Sequence, residues 1–218
     1  MSEQHVSRYE PFAPAQVREI AEKLTAQGLP AMPVQIYWED DEWQKKPRYR
    51  DYLQCKVLTQ GQIDRMDCLE PTHMGLVVPP GYLILDFDAS GLELEALIDR
   101  LEDEWGVLPL TTRQATPSGG RHYLFRHPWG EEVRFSSRVH FKDGTEAPVD
   151  LLHSGHRFAV IYDPSFPELG PSGLDAVPLI PEDWREAVAY RRPNFQTPAL
   201  PFRAGSRDSS AGVEERFD

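Results

Sequence analysis

Cysteine is nearly absent: Cys55 and Cys68 are the two in 218 residues. Two thiols cannot build a disulfide framework, and such usage fits a reducing compartment. Joined by His73 they would make three zinc ligands with no evident fourth, so two ordinary thiols are the simpler reading. No apolar stretch approaches the roughly 18 residues expected of a membrane span. Met1-Ser2-Glu3-Gln4-His5 lacks the basic start and apolar core of a secretory leader. The expectation is a cytoplasmic (intracellular) protein with no membrane partner. The phosphate-loop pattern Gly-x-x-x-x-Gly-Lys-Ser/Thr is missing, which excludes a motor of that type within this chain. No internal repeat is visible.

Positive charge is also scarce. Lys and Arg number 23 against 35 Asp and Glu, a formal net charge of −12, which argues against indiscriminate binding to nucleic acid. The distribution is uneven. Acid concentrates in Glu39-Asp40-Asp41-Glu42 and from Glu93 to Glu104, whereas Arg113, Arg121, Arg126, Arg134, Arg138 and Lys142 face only Glu131 and Glu132 over their stretch.

A chain of this length can bury a substantial core. Pro14 to Gln27 reads as a helix with Val17, Ile20, Ala21 and Leu24 on one face and Gly28 as its stop. Ala31 to Trp38 reads as a strand, Glu39 to Arg50 as a polar connection, and Thr59-x-x-Gln62 as the cap of a short helix ending near Met66. Ser90 and Glu93 have capping-box spacing ahead of Leu94, Leu97, Ile98, Leu101 and Trp105, a helical stripe ending at Gly106. Short strands follow, at Thr111–Thr116, Arg121–Arg126, around Arg138–Lys142, at Val149–Leu152 and at Phe158–Tyr162, with Asp143-Gly144 a hairpin signal. Pro181 to Tyr190 forms a last short helix with Trp184 docking inward. The pattern is antiparallel-rich and mixed α/β, without repeated βαβ winding. From Arg191 the composition is that of a flexible tail or linker.

Three segments carry chemistry. Tyr82-Leu83-Ile84-Leu85 leads into Asp86-Phe87-Asp88, and alternation puts both acids on one face of a strand. Such a pair either shares a divalent cation or is a solvated strand-to-helix turn. Pro117-Ser118-Gly119-Gly120-Arg121-His122 is a sharp turn whose amides and Ser118 hydroxyl suit a phosphate, with His122 beside it and Arg121 turned the other way. The plain alternative is a hairpin turn with an exposed histidine. Asp150 sits between apolar Val149 and Leu151-Leu152, which requires either a cation or a salt bridge from Arg157 or from Arg138, His140 and Lys142.

In this order the segments resemble the bifunctional DNA primase/polymerase (prim-pol) N-terminal domain of the archaeo-eukaryotic primase superfamily. Gly75-Leu76-Val77 resembles that family's lead-in to the acidic strand, and Lys45-Lys46-Pro47 its early Lys-Pro element. The likeness spans Ala15 to Tyr190. It implies an α+β fold, an antiparallel-rich RRM-like catalytic sheet (about 81–190) with an N-terminal αβ lobe (about 11–80), together a catalytic domain over 1–190 and a tail over 191–218. It implies a DNA-dependent primase and polymerase acting in replication. Asp86, Asp88 and Asp150 would be catalytic and hold two Mg²⁺ or Mn²⁺ ions. Ser118, Gly119, Gly120, Arg121 and His122 would bind the nucleoside triphosphate. Arg138, His140 and Lys142 share a face suited to nucleic acid, or to a charged edge strand. The implied partners are nucleoside triphosphates, a single-stranded DNA template with its primer, and a helicase or another replication protein. His153-Ser154-Gly155-His156-Arg157 departs from the more glycine-rich turn expected after the third acid. Two other readings use the same residues: a non-catalytic nucleotide- or DNA-binding replication module, and a metal-dependent nuclease.

Overall fold

Pro14 in the first turn and Gly28 at φ 71° bracket helix α1 (Pro14–Ala26), whose buried stripe is Val17, Ile20, Ala21 and Leu24. The computed structural model describes residues 9–51, 54, 56–130, 133–170 and 173–190. The stretch from 191, read from sequence as a tail, lies outside them, as does Cys55. Helix α1 packs on β1 (Ala31–Glu39) and β3 (His73–Val77).

Between those strands the sequence reading is corrected. Residues 39–50 are not an irregular connection, because β2 (Glu42–Pro47) pairs with β1 through a tight turn at Asp40 and Asp41, with φ of 51° and 62°. Two successive left-handed residues match the twist of a hairpin. Asp-Asp performs here what Asn-Gly usually signals. Helix α2 (Gln60–Asp64) follows, with the Thr59 amide donating to Gln62 Oε1 at 2.9 Å as the spacing predicts.

The rest of the described chain runs β4 (Tyr82–Phe87), α3 (Gly91–Trp105), β5 (Arg113–Ala115), β6 (Arg121–Arg126), β7 (Arg138–His140), β8 (Glu146–His153), β9 (Phe158–Ile161) and α4 (Trp184–Val188). The strands form two antiparallel sheets, ordered β2-β1-β3-β9 and β5-β6-β4-β8-β7. The fold is mixed α+β.

Strand β4 is central, and its period of two sorts its side chains between two cores. Leu83, Leu85 and Phe87 pack with Leu94, Leu97, Leu101 and Trp105 of α3 and with Trp184 of α4. Each such buried side chain contributes about 1.5–3 kcal/mol. Ile84 faces the opposite way, into a core shared with Leu124, Leu152, α1 and the four-stranded sheet. Asp86 is next on that second face, where the apolar packing ends.

Ser90 occupies the cap position of α3 but makes no side-chain cap bond. Its Cβ instead lies where the Ser118-Gly119-Gly120 turn comes closest: a Cβ built on Gly119 would sit 2.8 Å from it. The expected capping box gives way to packing against that turn.

Candidate active site

One rung of the five-stranded sheet carries a polar side chain on every strand. Gln114 on β5 pairs with His122 on β6, His122 with Asp86 on β4, Asp86 with Asp150 on β8, and Asp150 with Arg138 on β7. Direct partners in an antiparallel pair project to the same side about 4.5–5.5 Å apart. The sheet register therefore brings His122, Asp86 and Asp150 together across three strands. Two carboxylates placed directly opposite destabilise a sheet unless positive charge is supplied.

In the protein alone that charge comes from arginines. Arg138 Nε lies 3.1 Å from Asp150 Oδ1, and Arg157 bonds Asp150 Oδ2. The pairing of Asp150 with Arg157 and Arg138, an alternative left open by the sequence, is thus present. Asp150 Oδ1 is nevertheless buried without an aligned hydrogen bond. His122, 3% exposed, has Nε2 3.1 Å from Asp86 Oδ1.

Asp88 lies one residue past the end of β4, exposed, with Arg138 Nη1 at 3.9 Å. Desolvation raises its pKa, as do the charges of Asp86 and Asp150, while Arg138 and Lys45 oppose the shift. Lys45 reaches in from β2. Its ammonium lies 5.8 Å from the Tyr9 ring centre and 5.7 Å from that of Tyr162. Desolvation lowers its pKa against the pull of Asp86, Asp88 and Asp150. The Tyr162 ring lies 6.0 Å from His122, and burial pushes its phenol up, with Tyr9 and Asp86 adding to the shift.

As the side chains stand, no three His, Cys, Asp or Glu groups among the described residues are arranged to hold a metal ion. Asp150 is turned to its arginines and Asp86 to His122. The donor set still fits a hard divalent cation: three carboxylates in one another's field, one with a buried oxygen that lacks an aligned hydrogen bond and one whose charge burial disfavours. A cation held there would replace the arginines now beside Asp150 and Asp88. Of the residues in the zinc alternative, Cys68 is exposed and His73 is buried against the rings of Phe12 and Tyr162, while Cys55 lies outside the described residues.

The glycine turn closes tightly beside the rung. The Thr116 amide donates to the Gly120 carbonyl and the Gly119 amide to the Thr116 carbonyl, each at 2.9 Å. The Ser118 and Thr116 hydroxyls are 2.9 Å apart. Gly119 N–H is therefore committed to the turn and is not a free donor for an anion, which narrows the nest expected from sequence. Gly120 is required on steric grounds, because a Cβ there would lie 2.0 Å from the Phe87 carbonyl oxygen.

Two groups of expected site residues separate. Arg121 is on the α3 side of β6, bonded to Glu95 at 2.9 Å and to the Tyr123 hydroxyl at 3.3 Å, so it does not join the nucleotide group. Alternation, which brings His122 in, takes it away. Arg138, His140 and Lys142 do not form one stripe, because the β7–β8 register shifts between Arg138 and His140. Arg138 enters the acidic rung, while His140 is buried with Nε2 3.0 Å from Ser136 Oγ. Lys142 lies beyond the strand with its ammonium 5.3 Å from the Trp105 ring centre.

Sequence reasoning missed Gln114 and left Lys45 without a place in the site. The signal for Gln114 was the short Thr116–Gly120 turn, which sets β5 against β6 and puts Gln114 opposite His122. For Lys45 no comparable local signal exists, because it arrives from the other sheet.

The family model described as bifunctional DNA primase/polymerase, N-terminal, matches residues 21–175. A search of curated proteins finds no match.

Proposed function

Since the chain belongs to the bifunctional DNA primase/polymerase N-terminal family, we propose that it is a template-directed nucleotidyltransferase that makes primers on single-stranded DNA, extends them, or both. The observation that carries this reading is the direct pairing of Asp86 with Asp150, flanked by His122 and the Ser118 turn. Asp86, Asp88 and Asp150 would hold two Mg²⁺ or Mn²⁺ ions, which when bound activate a primer 3′-hydroxyl and offset the charge of the triphosphate and departing pyrophosphate.

The chain's own groups do the positioning. His122 holds Asp86 through Nε2, and Ser118 offers a hydroxyl in the turn beside the rung. Lys45 faces the carboxylates from the opposite sheet and supplies a cation for the outer phosphates. Arg138 and Arg157, seated on Asp150 in the protein alone, would be free to meet phosphate of nucleotide or template if a cation took their place. The net charge of −12 makes template affinity weak. A helicase or another replication protein is the kind of partner that would compensate. The catalytic unit we propose spans 1–190.

Incubation with single-stranded DNA, nucleotides and Mn²⁺ should give products that vanish for Asp86→Ala and for Asp150→Ala. Products unchanged by both substitutions refute the assignment. A binding module without turnover is the second reading, favoured by the arginines already seated on Asp150. Calorimetry showing nucleotide binding while no metal supports synthesis would establish it.

A further inference from the structure

Gln114 is 2% exposed, and all four of its polar bonds are made. Its Oε1 accepts the amides of Tyr162 at 2.9 Å and Asp163 at 3.2 Å. Its Nε2 donates to the Val160 carbonyl at 2.7 Å and lies 2.8 Å from His122 Nδ1. The orientation of this amide is set by its surroundings. Turned over, its oxygen would face the Val160 carbonyl and its NH₂ would face two N–H donors.

That orientation dictates the hydrogen on His122. Nδ1 receives a donor, so it is the acceptor, and the ring hydrogen resides on Nε2, where Asp86 Oδ1 accepts it at 3.1 Å. A continuous relay thus runs from β9 of one sheet, through Gln114 and His122, to the carboxylate at the centre of the other. Its fixed end is backbone, and its working end is Asp86.

We infer that Gln114 is a positioning residue: it locks His122 in the Nε2–H tautomer, and so aims Asp86 at the cation, while joining β5 to the chain at β9. This rests on the metal-dependent reading above for its consequence, but the tautomer itself does not. A direct partner of a ligating carboxylate, as His122 is of Asp86, changes metal affinity or activity by about 10–100-fold when altered, which is the upper bound for Gln114 acting through it.

The test is long-range ¹H–¹⁵N correlation of the His122 imidazole in metal-free, full-length protein at one fixed pH, assigned by comparison with His122→Gln. Wild type should show hydrogen on Nε2 alone. Hydrogen on Nδ1 in the wild type overturns the inference whatever any variant does. Gln114→Glu keeps the bonds from Tyr162 and Asp163 but turns an acceptor toward Nδ1 and toward the Val160 carbonyl, so a hydrogen should appear on Nδ1 in addition to the one Asp86 holds on Nε2. Mn²⁺ affinity should fall with it, by at most about 10–100-fold. Gln114→Met, of similar length and without charge, should lose the single-tautomer pattern and serves if the Glu variant does not fold. An unaltered His122 pattern in a folded variant refutes the role of Gln114 even if the wild type synthesises DNA. An altered pattern in a protein that never synthesises refutes the proposed activity and leaves the positioning role standing.

Discussion

Asp86 and Asp150 are register partners across β4 and β8, two carboxylates meeting face to face at the mouth of a sheet whose interior on that side is Ile84 and Leu152. The pair stores repulsion that arginines relieve in the protein alone and that a cation would relieve in the loaded state. On the proposed metal-dependent reading, stability and metal binding would be opposed at this rung.

Asp88 reports that opposition. Its pKa is raised, so the fold disfavours its charge, and the penalty is present at neutral pH and fades as pH falls through the raised value. Asp88→Asn should raise the metal-free Tm by about 1–2 °C at neutral pH, a small figure because the side chain is half exposed. At a pH where the wild-type carboxyl is already protonated the gain should disappear. Added Mn²⁺ should stabilise the wild type more than the variant. Thermal melts at two pH values with and without Mn²⁺ check all three outcomes.

Arg157 competes for Asp150. Half exposed, such a pair is worth about 0.2–1 kcal/mol. Arg157→Gln should therefore tighten Mn²⁺ binding by about 1.5–5-fold while weakening nucleotide binding to the loaded protein. Calorimetric titrations of metal and then nucleotide separate the two effects, and weaker Mn²⁺ binding by the variant would contradict the competition.

Two glycines should respond very differently to alanine. At Gly120 the new Cβ meets the Phe87 carbonyl oxygen at 2.0 Å, and β6 cannot move without breaking its pairing with β4. The expected loss is about 3 kcal/mol or more. Gly155, at φ 77° with nothing within 4 Å, carries backbone strain alone, and alanine there should cost about 1–2 kcal/mol. Urea unfolding of both variants tests the ranking.

His73 should make the fold acid-sensitive before any carboxylate does. Burial, with Lys45 adding to it, lowers its pKa from 6.5 to about 4. Above pH 6.5 the group is neutral in both states and contributes nothing. As pH falls from there toward 4 the unfolded chain takes up a proton that the folded one refuses, and stability drops by up to about 3 kcal/mol. His73→Phe should reduce that slope, leaving the part due to His127 and His153, whose pKa values burial also lowers, with unfolding free energies measured across the same window as the check. A variant with the wild-type slope would assign the acid sensitivity to another group.

Much of this was written locally. Alternation along Leu83–Asp86 and Arg121–Arg126 foretold which side chains share a face, including the departure of Arg121 from His122. The Val17–Leu24 and Leu94–Trp105 stripes foretold two helices and their buried sides. The Asp40-Asp41 turn was illegible because either acid also suits an ordinary surface loop, and left-handed backbone is revealed only by the strands it joins. The Arg138–Lys142 stripe failed because a register shift lies in the pairing of two strands, not in either strand's composition.

What the sequence alone determined is the parity of β4 and β6, the two amphipathic helices, and the order of acid, glycine turn and acid, since all follow from the reach of a few consecutive residues. The tertiary structure decided register: that Asp150 stops opposite Asp86, that Gln114 stops opposite His122, and that Lys45 enters from a separate sheet. Hydrogen-bonded strands can slide past one another by steps of two without altering their own patterns, and only the packing of distant elements selects one step.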